Sequence, residues 1–278
     1  MSSFLSHRRK AFRGGATGYL LDDYTGATAG YSLRALSSSY ETTNAVIKAR
    51  KNNSDVATFT AEEVTDGTLE AWASTGTGGY AYLHDMYDQT GNGNTASQTL
   101  NQFQPLLVSG GTLISGGAEF DGMQDFLDCG FGHGATSSQS MFVVGSANTF
   151  QVRLLLDGRQ ANDDGLGLLF LGGINNFMRM HADTTDVFTG VTLSNTQYLW
   201  SGIYGSSTAT IFRDGTQTDT ASAPSAMSAN TTTYKIGRAG WGSSAFWKGN
   251  INDVIIYPDD QSANRAGIES NITTYYGI

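Results

Sequence analysis

HDMYDQTGNGNTASQTLNQFQPLLVSGGTLISGGAEFDG, residues 84–122, is the stretch on which the fold turns. It grows out of an aromatic run, Tyr80, Tyr82 and Tyr87, and passes into Asp88-Gln89-Thr90-Gly91-Asn92-Gly93-Asn94. The alternating glycines and asparagines need a backbone that takes positive φ, so they read as tight turns rather than strand. Gln104-Pro105 then forces extended chain into the apolar run Leu106-Leu107-Val108. The stretch closes on Ala118-Glu119-Phe120-Asp121-Gly122. It reads as a seam, with helical and irregular chain before it and short strands after it.

Beyond Gly122 the pattern is all β. Strands are expected at 141–147, 151–158, 165–172, 176–182, 187–193, 197–205, 208–215, 234–239 and 246–258. Asp157-Gly158 and Asp214-Gly215 read as hairpin-type turns among them. About nine strands at this spacing mean a sandwich or jelly roll. The chain ends in a helix: Asp259 and Asp260 precede it, Ser262 is the expected cap, and Ile268, Ile272 and Tyr275 form its apolar stripe. Gly277 stops it.

Before the seam, residues 19–40 read as a helix with a lead-in, because Ala29, Leu33, Leu36 and Tyr40 fall on one face. Residues 45–50 and 56–60 alternate and read as two strands. Thr60-Ala61-Glu62-Glu63 is a capping-box pattern, and Leu69 with Trp72 gives a short helix something to bury. Gly76-Thr77-Gly78-Gly79 ends it.

Composition narrows the function classes. The chain has 278 residues, with 35 Gly, 3 Pro and only 15% charged residues, which suits many short strands joined by tight turns. A net charge of −9 argues against a nucleic-acid binder. The single cysteine, Cys129, leaves no internal disulfide and no cysteine-rich zinc site. No run is long and apolar enough to span a membrane, and Phe4-Leu5 leads straight into His7-Arg8-Arg9-Lys10 with no signal-peptide core. Synthesis in a host cytoplasm without standard export is therefore expected. Residues 1–18 read as a separate basic arm, with Arg8, Arg9, Lys10 and Arg13 ahead of the first acid at Asp22 and a joint of Gly14, Gly15 and Gly18. Its Phe4, Leu5 and Phe12 suit docking on an acidic partner protein.

Two blocks carry a family resemblance. Phe246-Trp247-x-Gly249-x-Ile251-x-Asp253-Val254-Ile255-Ile256-Tyr257, followed by a helix with Arg265 and Ile268, resembles the closing strand and helix of concanavalin A-like (laminin-G-like) jelly rolls. Tyr31-Ser32-Leu33-Arg34-Ala35-Leu36 with Tyr40, then the Tyr87–Asn94 run, then Phe120-Asp121-Gly122, resembles the catalytic domain of family 54 α-L-arabinofuranosidases. The resemblance implies an all-β concanavalin A-like jelly-roll sandwich with a few short helices. Residues 19–122 would form a helical and irregular elaboration with the first strands, and 123–278 the main sandwich. It also implies a retaining glycosidase site, which needs two carboxylates about 5–5.5 Å apart. The family's nucleophile precedes a Phe-small-Gly turn, here Phe188-Thr189-Gly190, and its position holds Thr184. The family's acid/base follows an Ile-Gly-Gly run, here Ile236-Gly237-Arg238, and its position holds Ala239. Both carboxylates are replaced, so hydrolysis is not expected. If the chain is an enzyme, Asp183 and Asp186 are the residues to carry it.

The remaining polar groups read either as a polar loop rim or as a sugar-hydroxyl site, and the tryptophans beside them either as core or as a stacking platform. His181, Asp183 and Asp186 sit near a turn at Thr184-Thr185, where alternation places His181 and Asp183 on one side. Trp241 and Trp247 flank a Gly-Ser-Ser turn, and an exposed indole there would stack on a sugar ring. No cofactor is expected; calcium on Asp121, Asp125 and Asp128 is the one alternative. The basic arm before such a roll resembles the start of bacteriophage virion proteins. The expectation is therefore a non-catalytic virion protein, a capsid decoration or tail component. The arm residues Arg8, Arg9, Lys10, Phe12 and Arg13 would anchor it to other virion proteins. Homo-oligomeric copies would display the roll to host glycans, with no nucleic-acid or membrane partner. The alternative is an arabinofuranosidase-like hydrolase acting on surface polysaccharide.

Overall fold

The computed structural model describes residues 18–148, 153–160, 165–171, 177–191, 195–205 and 207–278. Before the seam lie α1 (Leu20–Asp23), β1 (Ala29–Tyr31), β2 (Ile47–Lys51), β3 (Val56–Phe59), α2 (Ala61–Thr65), α3 (Thr68–Ser74) and β4 (Ala81–Met86). The seam and the loop after it hold β5 (Ala96–Ser97), β6 (Leu106–Ser109), β7 (Thr112–Leu113), β8 (Ala118–Asp121) and β9 (Leu127–Asp128). Then come β10 (Ser138–Ala147), β11 (Arg153–Asp157), β12 (Leu166–Leu171), β13 (Phe177–Ala182) and β14 (Thr185–Val191). The chain continues through β15 (Gln197–Gly205), β16 (Thr208–Arg213), β17 (Thr216–Ser222), β18 (Lys235–Ile236) and β19 (Lys248–Tyr257), and closes with α4 (Arg265–Tyr276).

The pairings give two layers. The first runs β1–β19–β10–β15–β16–β17, all antiparallel. The second runs β3–β2–β4–β5–β9–β18–β11–β12–β13–β14. β8 joins them at one side, pairing with β19 and with β6, which in turn pairs with β4. This is the expected concanavalin A-like jelly-roll sandwich.

The two layers share one core. Met141, Val143, Trp200 and Ile211 from the first layer meet Leu127, Leu156, Met180 and Ile236 from the second. The first layer is apolar on its other face too. Phe142, Val144, Leu199 and Ile255 there are covered by Ile268 and Ile272 of α4 and by Leu20 of α1. One layer therefore has both faces occupied. The other keeps its outer face for polar side chains.

Several expectations need correction. Residues 29–40 are not a helix: Ala29–Tyr31 is a strand paired with β19, and only a 3-10 turn follows at Ser38–Tyr40. The helical spacing was coincidental, because Gly30 sits where a Cβ would come 3.0 Å from Leu21 and 3.3 Å from Leu36. The seam does not separate helix from strand either, since β2, β3 and β4 before it belong to the second layer. Asp157-Gly158 is not itself the turn: Asp157 ends β11 opposite Gly167, Gly158 N–H donates to Leu166 O, and the pair opens the longer connection of the β11–β12 hairpin. Phe188-Thr189-Gly190 lies inside β14 rather than in a turn. β17 escaped notice because its Thr-rich sequence has no apolar alternation. The cap of α4 is Asn264 rather than Ser262, whose N–H and hydroxyl both donate to Asp260. The capping box at Thr60 and Glu63, the helix over Leu69 and Trp72, and the Gly277 stop all stand.

Candidate functional site

Directly opposed residues of antiparallel strands put their side chains on the same face. Followed across the second layer, the pairings Lys48↔Asp85, Asp85↔Ser97, Ser97↔Asp128, Asp128↔Lys235 and Lys235↔Asp157 form one row. It continues through Asp157↔Gly167, Gly167↔His181 and His181↔Asp186. One position along, the row reads Leu127, Ile236, Leu156, and further across Met180 and Val187, all in the core. The period-2 alternation of a sheet thus lays a band of ionisable groups across the outer face.

At the centre of the band, Arg159 Nε donates to Asp157 Oδ1 at 2.7 Å, and both side chains are essentially inaccessible. Gly240 N–H donates to Asp157 Oδ2 at 2.9 Å. Burial pushes the Asp157 carboxyl up, against the pull of Arg159. Gly167 is required opposite, because a Cβ there would come 2.5 Å from Asp157 Oδ1. Gly240 is fixed in the same way, 2.7 Å from Arg159 O, so the loop that follows is pinned where it presents Trp241.

Toward β14, His181 Nδ1 lies 2.7 Å from Asp186 Oδ1, and Arg179 Nη1 donates to Asp186 Oδ2 at 2.8 Å. Burial holds the His181 pKa below its usual value, and the Asp186 carboxylate only partly offsets that. The ring is therefore neutral near pH 7, with its proton on Nδ1. Its Nε2 is a buried acceptor with no partner among the described residues. Toward β9, burial alone would raise the Asp128 carboxyl, but hydrogen bonds from Lys235 and Thr233 outweigh it and hold it low.

His181 and Asp186 thus come together as expected, in one row with groups that sequence reasoning missed: Asp157, Arg159, Arg179 and Lys235. Asp183 is separate. It starts the two-residue turn between β13 and β14, at φ 54°, and its N–H donates to Gly165 O. Trp241 is 42% exposed and stands next to Gly240, beside the band. Trp247 does not reach it: the indole is fully buried, edge-on to Trp200 at 6.5 Å, and is a core residue. Asp121, Asp125 and Asp128 do not form a calcium site. Asp121 Oδ1 caps the N–H groups of Met123, Gln124 and Asp125, Asp125 accepts from Asp121 N–H, and Asp128 belongs to Lys235. Arg8, Arg9, Lys10, Phe12 and Arg13 lie outside the described residues.

The two positions that the family resemblance assigns to carboxylates are a Thr at the tip of a turn, Thr184, and a fully buried Ala239. The Tyr87–Asn94 run, the most specific block of that resemblance, is structural. Asp88 accepts from Gly30 N–H, Thr90 N–H and hydroxyl, and Asn94 N–H. Gln89 accepts from Leu36 N–H and donates to Ser32 O and Arg34 O. Asn92 and Asn94 donate to Thr28 O. The run is a clamp that ties residues 27–36 to β4.

Residues 134–265 match the family model of the concanavalin A-like lectin/glucanases superfamily (Laminin_G_3). No curated protein matches the sequence. Among solved structures, a family 54 α-L-arabinofuranosidase soaked with a cyclic sulfate inhibitor is similar at TM-score 0.68 and 11% identity, over 92% of this chain. A point mutant of such an enzyme, soaked with 4-nitrophenyl α-L-arabinofuranoside, is similar at TM-score 0.68 and 12% identity. An arabinofuranosidase complexed with arabinofuranosyl-α-1,2-xylobiose follows at TM-score 0.64 and 13% identity. This chain spans 64% of the length of each of those chains. The likeness shows a concanavalin A-like fold, the fold also seen in those arabinofuranosidase structures.

Proposed function

We propose that this chain is a glycan-binding jelly roll that takes sugar on the outer face of its second layer. One observation carries the reading: the exposed Trp241 directly follows Gly240, whose N–H is hydrogen-bonded to the buried Asp157 of the ionisable band. An indole supplies the flat apolar platform on which a sugar ring stacks, and polar groups placed beside it supply orientation. Arg179 and Asp186 are partly open to solvent and offer a donor and an acceptor to sugar hydroxyls, while the buried His181 holds the Asp186 carboxylate in place. Screening on a glycan array, followed by titration of the hits, tests it. Binding should fall about tenfold in Trp241→Ala, in line with the loss of one stacked aromatic. A protein that binds no glycan, or binds equally well without Trp241, ends the reading.

Hydrolysis is the second reading, favoured by the arabinofuranosidase likeness over 92% of the chain. It needs two facing carboxylates. Asp186 is engaged by Arg179 and His181, and Asp157 by Arg159, which favours binding over bond cleavage. Release of 4-nitrophenol from 4-nitrophenyl α-L-arabinofuranoside, lost in Asp183→Asn or Asp186→Asn, would establish hydrolysis instead.

The setting we propose is a virion surface, with the basic arm docked on an acidic capsid or tail protein and several copies of the roll projecting outward. Its support is the sequence: a positively charged, aromatic-bearing arm on an acidic body. Weak sugar contacts would then gain from multivalency. Deleting residues 1–18 should abolish particle incorporation and leave the roll folded.

A further inference from the structure

A concavity opens beside the same layer, and Trp241 is not among its lining residues. It measures about 590 Å³ and lies between β2, β4, β6, β8 and the 121–125 loop, with Arg50, Tyr82, Asn101, Gln104, Glu119 and Asp125 in its walls. Its volume falls in the range of ligand sites, and it is broadly open to solvent. The pairings Arg50↔Tyr82, Tyr82↔Leu106 and Leu106↔Glu119 make its floor another cross-strand row. Arg50 is two residues from Lys48, so this row is on the same face as the ionisable band.

The chemistry of the walls selects a ligand class. Arg50 is the one cation there, and each of its nitrogens is already engaged: Nε donates to Gln104 Oε1 at 2.6 Å, Nη1 to Lys51 O at 2.8 Å and Nη2 to Asn101 O at 3.4 Å. Its guanidinium lies 4.7 Å from the Tyr82 ring centroid and stiffens that ring. The Glu119 carboxylate has no hydrogen-bond or ion-pair partner among the described residues, and Asp121 and Asp125 stand close by. A uronate or phosphate would meet three carboxyl groups and a single cation whose nitrogens each already donate to the protein. Neutral hydroxyls suit the site, because carboxylates and side-chain amides accept from and donate to vicinal diols.

We infer that the ligand of this face is an extended, uncharged oligosaccharide, with one stretch at Trp241 and the partly open Arg179–Asp186 pair and its far end in the Arg50–Glu119 cleft. The inference rests on the glycan-binding reading above and adds the length and charge of the ligand. From β4 to β13 there are six inter-strand steps. At about 4.8 Å each they amount to about 29 Å along the sheet, far more than a mono- or disaccharide covers. Asp128, whose side chain is 43% exposed, keeps the band open to solvent between the two ends.

Calorimetric titration with neutral arabino- and xylo-oligosaccharides of three and of eight units tests it, with an octameric oligogalacturonate as the charged control. The octamer of the accepted neutral series should bind at least tenfold more tightly than the trimer, and the oligogalacturonate more weakly than the neutral octamer. Glu119→Gln and Tyr82→Ala should each bring the octamer toward trimer affinity and leave trimer binding unchanged, with thermal melting confirming that both variants fold. Equal affinity for trimer and octamer, equal loss of both in the two variants, or preference for the oligogalacturonate overturns the inference and leaves the glycan reading intact. Absence of binding at every length overturns both.

Discussion

Asp125 and Asp128 are three residues apart on one loop-to-strand segment, yet their environments push them in opposite directions. Asp128 lies in the cross-strand band, where Lys235 and Thr233 hold its carboxyl below the usual range. Asp125 faces the cleft, where burial and then the charges of Asp121 and Glu119 raise its carboxyl to about 7. The same contrast separates the two regions as wholes. In the band Asp128, Asp157 and Asp186 each have a cation within ion-pairing distance. In the cleft the carboxyl groups crowd one another. The band is built to be stable without a ligand, and the cleft is left with polar groups for a ligand to satisfy.

The most severe way to break that contrast is to remove a carboxylate from the band. Asp157→Ala would take from Arg159 the carboxylate it donates to, in a site where both side chains are 1% exposed or less. Breaking a buried pair of this kind costs about 3–5 kcal/mol. It would also release Gly240 and with it the Trp241 loop. Urea denaturation should show the loss of stability, and the variant should lose glycan binding even where it remains folded. Asp157→Asn, which keeps an acceptor for Gly240, should cost less.

The two tryptophans sharpen the division between scaffold and surface. Trp247→Ala empties a fully buried site against Trp200 and should cost about 3–5 kcal/mol. Trp241→Ala, at a 42% exposed position, should change stability by less than about 0.5 kcal/mol and act on binding alone. Equal effects on the melting temperature would mean that Trp241 is a packing residue.

Sequence reading separated these regions only in part. The layer of long strands was legible because β10, β15 and β19 are continuous apolar runs ending in turns. The band was not. Its members come from β2, β4, β5, β9, β18, β11, β13 and β14, and only the register brings them together. Asp157 was misread for a concrete reason: Asp-Gly is a common hairpin signal, but here Asp157 must stay in the ladder to hold Arg159 and Gly240. His181 and Asp186 were found because a two-residue turn keeps them close in sequence as well as in space. Trp241 and Trp247 look alike in sequence, and only β19, which follows Trp247 directly, commits that side chain to the core. The densest block of family resemblance, Tyr87–Asn94, marks a backbone clamp, so sequence likeness there reports the fold and not the chemistry.

A pH titration of stability probes the cleft with a smaller effect. Unfolded Asp125 ionises near its usual 3.8, whereas in the folded protein it holds its proton to about 7. The stability tied to that proton is fully present below the unfolded pKa and is lost as pH rises through 7. Asparagine keeps the acceptor for Asp121 N–H and cannot ionise. Asp125→Asn should therefore match the wild type near pH 4 and exceed it by about 1–2 kcal/mol at pH 8, after allowance for solvent screening at the cleft. Identical profiles would show that the cleft carboxyls are not crowded. His181 acts from the acid side: its lowered pKa contributes stability above 6.5 that is lost as pH falls, and His181→Gln should flatten that limb.

The weakest link of the band should respond least. Lys48 Nζ is 3.9 Å from Asp85 Oδ2, with 29% of the lysine side chain exposed, and Asp85 also has His84 Nδ1 at 2.9 Å. A half-exposed pair at that distance, with a second partner already in place, is worth about 0–1 kcal/mol. Lys48→Met should lower stability by no more than about 0.5 kcal/mol, with any loss shrinking further at high salt, where exposed charges are screened. A loss as large as that of Asp157→Ala would mean that the band works as one coupled network from β2 to β14. The small value expected places its structural weight at Asp157 and Arg159, under the Trp241 loop, and leaves the β2 end free to be reshaped around whatever occupies the cleft.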